Sequence, residues 1–198
     1  MKLVLATRNP HKREEIEAIF DGPGLDIVAL DAFPDAPEVE EDRDTFEGNA
    51  IKKAVEIARW TGLRALADDS GLEVDALGGA PGVWSARYAG PEADYEANNR
   101  KLLAALAGAG DRTARFRTVM ALADPDGTVR TVEGSCEGAI TEEPRGMRGF
   151  GYDPLFVLRG DTRTFAELDA AEKNRVSHRA RALHKAREAW TGLLSEEM

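Results

Sequence analysis

Asp68 and Asp69 close a short apolar run, Leu63 to Ala67. Ser70, Gly71 and the pair Gly78-Gly79 follow, with Trp84, Arg87 and Tyr88 just beyond. Adjacent carboxylates at a strand end, beside a loop whose backbone can approach a ligand closely, suit a divalent cation held against a phosphate. The same residues also fit a plain polar hairpin, because Asp-Ser-Gly is ordinary turn chemistry. The rest of the chain must decide between a site and a turn.

Basic residues supply the next clue. Asn9 is a good N-cap and Pro10 suits the first helical position, yet His11, Lys12 and Arg13 come next. A helix start carries partial positive charge and prefers acids there, by about 0.3–1 kcal/mol per charge. A basic first turn makes sense if an anion lies against its exposed N–H groups. The pattern recurs late in the chain, where Ser177 precedes His178, Arg179 and Arg181, with Lys173 and Arg175 just upstream. Lys52-Lys53 lies mid-helix, downstream of Glu40, Glu41 and Asp44, and as an isolated pair reads as a solvated helical face. Glu40-Glu41-Asp42 is a charged loop, or a second carboxylate source for a Mg²⁺ held with Asp68 or Asp69. Magnesium takes one or two carboxylates and leaves its other positions to water and phosphate oxygens. Gly149-Phe150-Gly151-Tyr152-Asp153-Pro154 reads as a turn with an aromatic plug. Its functional reading is a ring on which a base stacks while loop backbone groups read the base edge.

The elements that must carry these residues follow from periodicity and punctuation. Lys2–Ala6 reads as a buried strand, and Pro10–Phe20 as a helix with Ile16, Ile19 and Phe20 on one face. Asp26–Leu30 is a second strand, and Asp31–Asp44 an acidic, proline-bearing loop. Phe46–Trp60 is a helix with Phe46, Ala50, Ala54, Ile57 and Ala58 inward, closed by Gly62. A strand leads into Asp68-Asp69, and Asp94–Leu106 is a helix ended by Gly108. Strands around 114–123 and 128–140 flank the hairpin turn Asp124-Pro125-Asp126-Gly127. A strand at Leu155–Leu158, a short segment from Phe165 and a terminal helix Ser177–Leu194 complete the chain. Early alternation of strands and helices with a late hairpin predicts an α/β fold with a mixed sheet.

The 198 residues, with 42% hydrophobic and 31% charged content, fit a globular chain of one large domain or two small lobes. No apolar run is long enough to cross a bilayer. Met1–Ala6 meets charges at once and lacks the h-region of a signal peptide. Cys136 is the only cysteine, so no internal disulfide forms and a reducing cytoplasm is the expected setting. The net charge of −10 disfavours a nucleic-acid binder, which needs a basic surface. A small polyanion needs only a local basic pocket or a metal.

Several stretches, taken in order, carry a resemblance. They are Thr7-Arg8-Asn9-Pro10-His11-Lys12, Thr45-Phe46-Glu47-Gly48-Asn49-Ala50, Ala67-Asp68-Asp69-Ser70-Gly71-Leu72, Gly78-Gly79-Ala80-Pro81-Gly82, Ser85-Ala86-Arg87-Tyr88, Phe150-Gly151-Tyr152-Asp153-Pro154 and Ser177-His178-Arg179. Each is weak alone. As an ordered set from Leu3 to the last helix, the chain resembles the Ham1-like inosine triphosphate pyrophosphatases, also called dITP/XTP pyrophosphatases. One departure is Arg8, where bacterial members carry a small residue.

The resemblance implies an elongated mixed β-sheet flanked by helices, with two lobes and a central cleft, residues 1–198 forming a single catalytic domain. It implies Mg²⁺-dependent hydrolysis of ITP, dITP and XTP to the monophosphate and pyrophosphate, in a cytoplasmic homodimer acting on a small-molecule nucleotide, without nucleic acid or membrane. It places Thr7, Arg8, Asn9, Pro10, His11, Lys12 and Lys53 at the triphosphate. Asp69 becomes the catalytic carboxylate with Ser70 beside it at the substrate. Glu40 and Asp69 become metal ligands, with Glu41 close enough to compete for the glutamate role. Phe150, Gly151, Tyr152, Asp153, Lys173, His178 and Arg179 would hold the nucleoside. A Maf-like nucleotide pyrophosphatase and a non-catalytic nucleotide sensor are the alternatives. The Ser177-His178-Arg179 and Phe150–Asp153 motifs argue against the first, and the intact acids against the second.

Overall fold

The structure, a computed structural model, describes residues 1–20 and 24–194. Six strands form one mixed sheet in the order β2-β1-β3-β4-β5-β6. β1 (Lys2–Leu5) pairs in parallel with both β2 (Asp26–Ala29) and β3 (Arg64–Val74), while β5 (Val129–Ile140) and β6 (Phe156–Leu158) pair antiparallel. β4 (Thr113–Ala123) lies between β3 and β5. The helices are α1 (Pro10–Phe20), α2 (Phe46–Thr61), α3 (Tyr95–Ala105), α4 (Ala170–Val176) and α5 (His178–Leu194). This is the α/β fold with a mixed sheet that the sequence predicts.

Local chemistry sets most boundaries. Asn9 Oδ1 accepts the N–H groups of His11 and Lys12 at 3.0 and 3.3 Å, so it caps α1 as expected. Thr45 caps α2 through Gly48 N, and Gly62 ends it at φ 67°, a conformation that costs glycine little. Asp94 caps α3 through the N–H groups of Glu96 and Ala97. The β4–β5 turn closes through Gly127 N to Asp124 O at 2.9 Å, with Gly127 at φ 92°.

Two expectations need correction. β3 does not stop at the acids: it runs on through Asp68, Asp69, Ser70 and Gly71 to Val74, so these residues are strand and not turn. Burial decides this, since Asp68, Asp69, Leu72 and Val74 are all buried and their backbone groups must pair. The second is α4, a helix absent from the predicted elements, although Asp169 and Glu172 form a capping box at its start.

The chain divides into two compact units. The first comprises Met1–Asp69, Thr118–Gly134 and Arg179–Met198, and the second Ser70–Arg117 and Ser135–His178. Each has its own apolar core. In the first, Leu3, Leu5 and Leu66 of the sheet pack with Ile16 and Phe20 of α1 and with Leu183, Ala186 and Trp190 of α5. In the second, Leu72, Val74, Phe116 and Ile140 pack with Leu102, Tyr152, Phe156 and Phe165. No helix among the described residues is long and apolar enough to cross a membrane.

Candidate active site

Side chains alternate across a strand, so adjacent Asp68 and Asp69 leave β3 on opposite faces. The direct side-chain partners of the two acids come from different helices.

Asp68 meets α1 and α5. Lys12 Nζ lies 3.1 Å from its Oδ2, and Arg179 Nη2 donates to the same oxygen at 3.0 Å. Arg179 also donates to Glu15, one turn beyond Lys12 on α1. Its guanidinium is almost fully buried, at 1% exposure, as is the Asp68 carboxylate. Burial alone would raise the Asp68 pKa. The charges of Lys12 and Arg179 outweigh it and hold the group well below the usual carboxylate range. The same acids hold Arg179 firmly charged against its own desolvation. The two basic helix starts, read in the sequence as waiting for an anion, thus converge on one acid of the protein itself.

Asp69 meets α2. Asn49 Nδ2 donates to its Oδ2 at 3.1 Å, and Lys53 Nζ lies 3.6 Å from its Oδ1. Thr118 Oγ1 donates to the Asp69 backbone carbonyl at 3.1 Å, fixing the strand at this residue. Burial pushes the Asp69 pKa up, and the nearby Lys53 and Lys12 only partly offset it. Lys53 is also paired with Glu41. Burial disfavours the Lys53 charge, yet Asp69 and Glu41 hold its pKa above the ordinary value. Glu41 in turn is lowered, the pull of Lys53 overcoming its own burial.

The acidic loop is therefore sorted residue by residue. Glu41 turns to Lys53 and Asp69. Glu40 is exposed, and its backbone carbonyl accepts from Lys52 Nζ at 2.8 Å. Lys52 also pairs with Asp42 at 3.0 Å. The turn from β1 into α1 is braced locally by Asn9 N to Thr7 Oγ1 at 3.2 Å. It is braced at longer range by Arg8 Nη2 to Ala36 O at 2.7 Å. Pro10 and His11 are exposed at the start of α1.

Glu41 and Asp69 are oxygen donors of the type magnesium takes. Among the described residues no three His, Cys, Asp or Glu side chains converge into a protein-only cage. A pair of carboxylates, completed by water and phosphate oxygens, is the magnesium pattern, so the residues present fit that ion.

The second unit gathers most of the expected nucleoside residues. Asp153 Oδ2 accepts Phe150 N at 2.9 Å and Lys173 Nζ at 2.5 Å. The Lys173 ammonium sits 4.8 Å over the Phe150 ring and 5.9 Å from that of Phe165. Gly149 adopts φ 73°, and a Cβ there would stand 2.0 Å from Asp153 Oδ2. Asn99 Nδ2 donates to Gly151 O at 3.0 Å, and buried Tyr152 donates to Ser85 O at 2.9 Å. The His178 ring stacks on Phe116 at 4.8 Å and 13°. Ser70, the residue after Asp69 in β3, is half-buried.

Arg179 is thus grouped with Lys12 and Asp68 in the first unit, and Lys173 and His178 with Phe150 and Asp153 in the second. Three contributors escaped the sequence reading. Asn49 left a signal: an asparagine on the inward face of α2, between Phe46 and Ala50, is a poor helix former without a polar partner. Glu15 left a weaker one, three residues from Lys12 on the same helical face. Thr118 left none.

An α/β protein with charge-matched acids on one central strand and an aromatic–lysine cluster built on a glycine-rich turn defines a narrow class. The chain belongs to the Ham1 family, whose model matches residues 3–189. It is 56% identical over 190 residues to the dITP/XTP pyrophosphatase of Desulforamulus reducens, spanning 95% of this chain and 94% of that protein. It is 53% identical to the dITP/XTP pyrophosphatase of Geobacter sulfurreducens, spanning 97% and 98% of the two chains. Among solved structures, the Coxiella burnetii HAM1 protein matches with a TM-score of 0.89 at 42% identity, spanning 97% and 99%. The Staphylococcus aureus Ham1 protein matches at 0.88 and 37% identity, spanning 98% and 100%.

Proposed function

We propose that this protein hydrolyses nonstandard purine nucleoside triphosphates (ITP, dITP and XTP) to the monophosphate and pyrophosphate, with Mg²⁺. The observation that carries this reading is the Asp69–Lys53–Glu41 group, whose Asp69 lies on the strand that also anchors Lys12 through Asp68. The relatives named dITP/XTP pyrophosphatase support it over nearly the full chain.

Asp69 is the catalytic carboxylate. Its Asn49 hydrogen bond holds the carboxylate in one orientation, which suits a group that orients water aimed at the α-phosphorus and takes up its proton. Such help is worth about 10²–10⁴-fold in rate. Asp69 and Glu41 would hold the metal, Glu41 filling the glutamate role because it, and not Glu40, faces Asp69 and Lys53. When bound, the ion neutralises phosphate charge and stabilises the leaving pyrophosphate. Lys12 and Lys53 add positive charge for the triphosphate, and the Asn9 cap fixes the start of α1 from which Lys12 projects.

In the second unit, Phe150 stacks on the base. Donors from His178 and the Gly151–Tyr152 backbone meet the 6-oxygen of hypoxanthine or xanthine. Adenine presents an amino donor at that position, so donor faces donor. Such an unmet buried group costs about 1–3 kcal/mol, enough to reject ATP. The reading also includes a homodimer in a reducing cytoplasm, consistent with the single buried cysteine, and light scattering tests the dimer. The direct experiment is pyrophosphate release from ITP, XTP and ATP with and without Mg²⁺. Release from ITP only with the metal supports the reading, and equal rates for ATP and ITP would sink the donor-based discrimination.

A further inference from the structure

Lys53 stands where the proposed cation belongs. Its ammonium touches Glu41 and lies 3.6 Å from Asp69 Oδ1, and its side chain is only 12% exposed. Two carboxylates facing one another in a half-dry site repel, and the lysine between them offsets that repulsion. A divalent ion on the same pair would stand within a few ångströms of that ammonium. Like charges so close in a poorly screened site do not coexist without displacement. Lysine can yield, because its charge sits on a flexible four-carbon stem. Lys12 differs. Its partner Asp68 is also held by Arg179, so Asp68 stays neutralised when Lys12 turns to a phosphate.

We propose that Lys53 is a built-in counter-cation that closes the Glu41–Asp69 pair in the metal-free protein and is handed to the triphosphate only when the divalent ion takes those carboxylates. The inference rests on the metal reading above. It makes productive binding ordered: without the ion, Lys53 stays on the acids and the triphosphate meets a site lacking one of its two lysines. The same contact offsets, in the metal-free protein, the repulsion between buried Asp69 and half-buried Glu41.

The test is calorimetric titration of the nucleotide-free protein with Mg²⁺ alone at pH 8. Wild type, Lys53→Met and the double variant Glu41→Gln/Asp69→Asn are compared. Removing the competing ammonium should tighten Mg²⁺ binding about tenfold, a difference well within the range that titration resolves. The double variant should lose binding. A second readout needs no variant: the Lys53 side-chain ¹⁵N resonance in wild type should shift or broaden when Mg²⁺ alone is added. Unchanged or weaker Mg²⁺ binding by Lys53→Met overturns the exchange, and so does a Lys53 signal unmoved at saturating Mg²⁺. If Lys53→Met does not fold, Lys53→Gln and the wild-type resonance decide. A double variant that binds Mg²⁺ like wild type overturns the metal reading instead, so the two failures are distinct.

Discussion

Arg179 donates to Asp68 across 111 residues of sequence, at 3.0 Å, with both groups buried. Neither residue is then free to do surface chemistry. Together they form a fixed support from which Lys12, 3.1 Å from the same oxygen, projects. Breaking a buried ion pair on one side leaves an uncompensated charge, which typically costs about 3–5 kcal/mol. Arg179→Met should therefore destabilise the protein by that order in denaturant melts. Arg179→Lys should rescue only part, because an ammonium cannot span Asp68 and Glu15 as the planar fork does.

The same pair sets acid sensitivity. Asp68 is held below its ordinary value of 3.8 in the fold, while the unfolded chain titrates near that value. As pH falls through 3.8, the unfolded state takes up a proton that the native state refuses, so stability present above this pH is lost. Stability measured from pH 6 to pH 2 should drop through this window. Asp68→Asn should be less stable at neutral pH and should lose less on acidification.

Asp69 behaves in the opposite sense, its carboxyl pushed up by burial and pulled down in part by Asn49. In the metal-free protein it should titrate above 3.8 by side-chain ¹³C NMR. Asn49→Ala removes a donor to the charged form and should move that titration higher still. Asp69→Asn should lower turnover of ITP by about 10²–10⁴-fold without a loss of fold. Near-normal turnover in that variant would rule out Asp69 as the base.

Glu40 and Glu41 are separable. Glu41 faces Lys53, whereas Glu40 contributes its backbone carbonyl to Lys52. Glu41→Gln should weaken Mg²⁺ binding and raise the Mg²⁺ concentration needed for half-maximal turnover, while Glu40→Gln should leave both near wild type. The reverse ranking in a metal titration would return the glutamate role to Glu40.

Gly149→Ala probes the base-reading turn. The added Cβ meets Asp153 Oδ2 at 2.0 Å and sits at φ 73°. The backbone alone costs a non-glycine residue about 1–2 kcal/mol there. Displacing Asp153 loosens Lys173 and the Phe150 N–H together. KM for ITP should rise and the preference for ITP over ATP should shrink. Unchanged KM and unchanged preference would mean that this turn does not read the base.

Short-range chemistry was legible in the chain: the Asn9 cap, the inward face of α2, the Gly62 stop and the Asp124–Gly127 hairpin all depend on neighbours a few residues apart. The basic helix starts and the paired acids were legible too, as charges that must be answered somewhere in the fold. Partner choice was not legible. That Asp68 and Asp69 face opposite ways depends on β3 continuing through them, which burial and sheet pairing decide. That Glu41 and not Glu40 joins Asp69, and that Arg179 joins Lys12 and not Lys173, depends on contacts made across long spans of chain, 111 residues from Asp68 and 164 from Glu15 in the case of Arg179. Composition and spacing determine which charges the chain owns. Only the packing of helices on a strand whose side chains alternate decides which of them neutralise one another.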